Sequence, residues 1–151
     1  MAAIKEWARR AAGDVHVVWA SSAGLAIGIL RRERGRGFDG VLVDHDLTQA
    51  NRTSVDDLLS GKDVANAMAE HLDRDIPVFV HSGNRLEAPR LAAQLMSAGF
   101  GVTYIPFEVM TYGDLETWLE EVREAADEVT LYRRWQARKR RTPLRVPREF
   151  N

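Results

Sequence analysis

Apolar residues along this chain fall into two kinds of pattern. Four short runs are nearly continuous in β-branched and aromatic residues: His16–Ala20 (HVVWA), Gly40–Asp44 (GVLVD), Ile76–His81 (IPVFVH) and Gly101–Ile105 (GVTYI). Continuous runs of this length predict strands buried on both faces, as in a parallel sheet, rather than strands alternating between core and water. Between them apolar positions recur with the helical period. Ile4–Ala12 is a short amphipathic helix. Ser21–Arg34 opens on serines suited to capping and stops before Gly35. Ser60–Leu72 sets Val64, Ala67, Met68 and Leu72 on one face. Glu87–Ala98 carries Pro89 in its first turn and Gly99 after its end. A last helix starts near Asp114, with Leu115, Trp118, Leu119, Val122 and Val129 inward, and runs on through Trp135 toward a basic cluster.

Strand and helix alternate throughout, so the expected class is α/β: a three-layer sandwich around a parallel sheet of four or so strands. The run GVLVD is expected at the centre, with IPVFVH beside it. His16–Ala20 is expected either to pair with Gly40–Asp44 or to leave a gap that a second subunit fills, because an unpaired strand edge invites association.

The length of 151 residues suits one domain, and the absence of cysteine excludes a disulfide framework, a thiolate metal site and a cysteine nucleophile. The longest apolar stretch, Ala23–Leu30, is too short to cross a bilayer. Met1–Arg10 holds four charges and no apolar core, unlike a signal peptide, which points to a cytoplasmic protein. The formal charge of −1 hides an asymmetry: residues 1–132 carry −8 and residues 133–151 carry +7. The division expected is a domain over 1–132 with a basic extension over 133–151. That extension is either a solvated helix end or a surface for a polyanion.

In parallel sheets function gathers at the carboxyl ends of the strands. Here these ends read Asp44-His45-Asp46, His81-Ser82-Gly83-Asn84 and Ile105-Pro106-Phe107-Glu108. The stretch His45–Leu59 is long and polar, as functional loops are. Asp44 and Asp46 offer oxygen ligands to Mg²⁺ or Mn²⁺, or serve to orient a histidine. Adjacent parallel strands lie about 4.8 Å apart, so His45 and His81 could flank one ligand as a general acid and general base. Ser82, Asn84 and the start of the Glu87 helix suit an oxyanion such as phosphate.

The segments Val43-Asp44-His45-Asp46-Leu47, Ser60-Gly61-Lys62-Asp63-Val64-Ala65 and Val80-His81-Ser82-Gly83-Asn84 resemble, in this order and spacing, the motifs of the cyclic-phosphate-processing receiver-like family. These are variant receiver domains of bacteria and phages, and the likeness spans about residues 3–128. The resemblance implies a flavodoxin-like fold and a role in sensing or processing cyclic phosphates on nucleotides or RNA ends. By that resemblance Asp44 matches the receiver phosphoacceptor position, His45 and Asp46 complete the first motif, and Ser82 matches the strand-end hydroxyl. The enzyme expected is a metal-assisted phosphoesterase in which His45 and His81 share acid and base duties and Asp44 and Asp46 hold the cation or orient the histidines. Two departures bear on that reading. Receivers carry a lysine after the last strand, whereas Tyr104–Glu108 has none and the only lysines are Lys5, Lys62 and Lys139. That disfavours phosphorelay signalling. The family's first strand, which ends in an acidic pair, has no counterpart here. The alternative is a non-catalytic module binding a nucleotide or a protein.

Overall fold

The computed structural model describes Ile4, Glu6, Trp7, Arg10, residues 15–33, 37–44 and 59–141, with side chains only up to Tyr132 in the last helix. Its elements are α1 (Ala23–Glu33), β1 (Val41–Asp44), α2 (Gly61–His71), β2 (Val78–His81), α3 (Glu87–Ser97), β3 (Val102–Tyr104) and α4 (Tyr112–Arg141). Ile4, Glu6, Trp7 and Arg10 are also helical.

The three strands form one parallel sheet in the order β1-β2-β3. Alternation along β2 separates the two faces. Val78 and Val80 meet Ile27 and Leu30 of α1, Met68 of α2, and Leu91 and Leu95 of α3. Phe79 turns to the other face, against Ile4, Trp7, Leu115, Trp118, Leu119 and Val122. All four residues of β2 are buried, which is why its sequence reads as a continuous apolar run. The result is an α/β sandwich with helices on both faces of a parallel sheet, compatible with a flavodoxin-like fold that lacks one strand.

The strands are shorter than their apolar runs. Pro77 has no amide to donate, and the Ile76 amide turns back to the Asp73 carbonyl at 3.4 Å, so β2 begins at Val78. Gly40 precedes β1 for a packing reason: a Cβ there would lie 2.5 Å from a methyl of Val122 on α4.

Two expectations are corrected. Val15–Ala20 is not a strand; it carries no ladder and does not pair with β1. Consequently, among the described residues, β1 is an edge of the sheet, and β2, not β1, is the central strand. Val15–Ala20 and β1 both line a cavity of about 940 Å³ that lies between them. It is walled on one side by Met68 and Leu30 and on the other by Trp118 and Val122, so it passes through the plane of the sheet.

α4 runs unbroken from Tyr112 to Arg141, across the 132/133 boundary. Its first turn is fixed by Asp114, whose carboxylate accepts from both the amide and the hydroxyl of Thr111 at 2.7 Å. No helix among the described residues is long and apolar enough to cross a membrane.

Candidate functional site at the strand ends

The β1–β2 register sets Asp44 directly across from His81. Both residues line the end of the cavity, together with Ser60 and Gly61 at the start of α2. The sheet therefore brings together one carboxylate and one imidazole of the expected set. His45 and Asp46, the other histidine and the second carboxylate, lie outside the described residues, and so does the His45–His81 separation.

His81 is almost fully enclosed, 1% exposed. Following Phe79 by two, it projects to the α4 face of the sheet. Its ring centroid lies 6.4 Å from Phe79 and 6.4 Å from Phe107. Phe107 is held in place from the neighbouring loop, where its amide donates to the Ser82 carbonyl at 3.3 Å. The position just past the third strand was the available signal for Phe107, although no apolar residue was expected to shield the site.

Ser82 and Asn84 have structural partners. The Ser82 hydroxyl, buried, accepts from the Asn84 amide at 2.9 Å. The Asn84 side-chain oxygen accepts from the amides of Leu86 and Glu87 at 3.2 and 3.1 Å, and its carbonyl accepts from the Ala88 amide at 3.1 Å. The amides that open α3, expected to face an oxyanion, are thus engaged by Asn84 in a cap.

Arg85, unremarked in the sequence, joins the two strand-end loops. Its guanidinium donates to Glu108 at 2.9 Å. The Glu108 carboxyl is held below its ordinary range, first by its own backbone amide and then by Arg85. The residues next to this pair in sequence include three large apolar side chains that face solvent, Leu86, Phe107 and Val109.

A divalent cation of the Mg²⁺ kind takes an oxygen-rich donor set. Among the described residues no group of three or more acidic, histidine or cysteine side chains is placed to hold one. Among the described residues the strand ends supply two carboxylates, Asp44 and Glu108, and Glu108 is engaged by Arg85, so the described donors do not fit such an ion.

The indole N–H groups of Trp7 and Trp118 are buried without a hydrogen-bond partner, and both rings line the cavity. No family model, curated protein or solved structure matches this chain.

Proposed function

We propose that this chain is a receiver-like binding module without catalytic activity, and that it engages a protein partner through the rim of its strand ends. The observation that carries this is the division of labour at that rim. The polar groups suited to chemistry are enclosed or engaged: His81 sits beside Phe79 and Phe107, and Ser82 and Asn84 brace the loop. What faces outward is the Arg85–Glu108 ion pair together with the apolar residue that follows each partner in sequence, Leu86, 74% exposed, and Val109, 66% exposed. Exposed apolar side chains interspersed with charge suit protein recognition. The resemblance of the strand-end motifs to receiver-like domains supports the same class.

The second reading is a phosphoesterase acting on cyclic phosphates of nucleotides or RNA ends, with Mg²⁺ or Mn²⁺. It is favoured by one specific relationship, Asp44 opposite His81 at the mouth of a cavity. In it His81 and His45 would exchange the proton and Ser82 and Asn84 would meet phosphoryl oxygens.

One pair of measurements separates them. Peptides selected from a random library on the wild-type chain are expected to lose binding to the L86D/V109D variant. Selected peptides that bind that variant equally well would overturn the rim reading. Turnover of a 2′,3′-cyclic nucleotide with Mn²⁺, followed by ³¹P NMR and abolished by His81→Ala, would establish the enzyme instead.

A further inference from the structure

The second half of α4 has a face of its own. The helix is 30 residues long, about 45 Å at 1.5 Å per residue. Its inward residues Leu115, Trp118, Leu119 and Val122 are spent on the sheet. From Glu121 onward the helical period lines up Glu121, Ala125, Glu128, Tyr132, Trp135 and Lys139 on another face. Of these, Glu121 and Glu128 are exposed and Tyr132 is 60% exposed. A tyrosine and a tryptophan on an otherwise charged helix face are what a partner helix buries.

Charge along the helix says which partner. Residues 116–128 hold six acidic residues and one base, Arg123, while residues 133–141 hold six bases and no acid. Each half is the complement of the other, in reverse order. Two parallel copies would set acid against acid and base against base. Two antiparallel copies centred on Thr130 set each acidic half along a basic half.

We infer that α4 pairs antiparallel with α4 of a second copy of this chain. The register that places Glu121 opposite Lys139 also places small Ala125 opposite large Trp135, and Glu128 opposite Tyr132. Each pair repeats across the two-fold axis, as an isologous contact requires. The overlap spans roughly residues 119–141, about 34 Å of helix, and leaves the two sandwiches at opposite ends. The basic cluster is thereby matched inside the assembly. The inference is independent of the rim described above, since Leu86 and Val109 lie outside α4.

Charge exchange tests it. The full chain is expected to sediment as a dimer at low ionic strength and to dissociate as salt rises, because its charge pairs are exposed. E121K/E124K and R138E/K139E are each expected to sediment as monomers, halving the mass. Mixed one to one, the two variants are expected to recover the dimer, which also shows that both remain folded. A wild-type chain that is monomeric at low salt overturns the inference, as does failure of the mixture to recover. A monomer whose R138E/K139E variant loses affinity for single-stranded RNA would assign the basic half to a polyanion instead.

Discussion

Trp118 of α4 meets Phe79 of β2 edge to face, ring centroids 5.7 Å apart and planes at 62°. Trp7 adds a third ring, 6.4 Å from Trp118. This aromatic contact, together with the close approach of Val122 to Gly40, seats the long helix on the sheet. Trp118→Ala is expected to cost about 3–5 kcal/mol, the range for truncating a buried aromatic. Gly40→Ala forces a methyl into Val122 and should cost about 1–3 kcal/mol by overpacking. Urea titrations of both variants measure these losses. A Gly40→Ala chain as stable as wild type would mean that α4 shifts freely over β1.

The edge position of β1 has a signature in amide exchange. The Val41 amide donates to the Pro77 carbonyl at 3.1 Å, and alternation sends the Val43 amide the same way. The Leu42 amide points to the cavity side, away from β2. Hydrogen exchange followed by NMR is expected to show Val41 and Val43 protected and Leu42 and Val15–Ala20 exchanging faster. Equal protection of Leu42 and Val43 would show a further strand on that edge.

Much of this architecture was legible in the sequence, and its one strand error is instructive. GVLVD, IPVFVH and GVTYI each contain a strand, and each of these strands has a ladder partner among the other two. HVVWA has the same composition and forms none. β-propensity measures fit to a neighbouring strand, and the neighbour that would pair with Val15–Ala20 is a cavity. The site was half legible for a related reason. Alternating strand and helix predict a parallel sheet whose strand ends gather, and the register sets Asp44 across from His81. The strand order does not follow, since β1, expected at the centre, lies at the edge. Enclosure depends on contacts distant in sequence. Nothing near His81 announces that Phe107 will lie beside its ring, or that Asn84 will spend its side chain on the α3 amides.

Asn84 allows its structural role to be separated from any binding role. Its side-chain oxygen accepts two amides at the start of α3. Asn84→Ala leaves those donors without that acceptor and is expected to cost about 1 kcal/mol. Asn84→Asp keeps an acceptor and should retain stability, with a negative charge favoured beside a helix N-terminus. A phosphate bound there would meet that charge and be repelled. Affinity for a cyclic nucleotide unchanged in Asn84→Asp would place the phosphate elsewhere.

Two helix starts depend on ionised carboxylates, and acid should loosen both. Asp63 accepts from the Ser60 amide at 2.8 Å and the Ser60 hydroxyl at 2.7 Å, and these bonds hold its pKa below the ordinary 3.8. At α4, the hydroxyl and then the amide of Thr111 lower Asp114 below 3.8 in the same way. A carboxyl whose pKa is lower folded than unfolded stabilises the fold at pH values above its unfolded value. That contribution shrinks as pH falls below 3.8 and is gone below the folded value. Both groups are exposed, so the effect is local and screened by salt. NMR titration of the side-chain carboxyls is expected to place both midpoints below 3.8, with the Ser60 and Thr111 amide shifts following the same curves. Asp63→Asn and Asp114→Asn should remove that part of the acid sensitivity. If either carboxyl titrates at or above 3.8, its hydrogen bonds to the cap residue do not persist in solution.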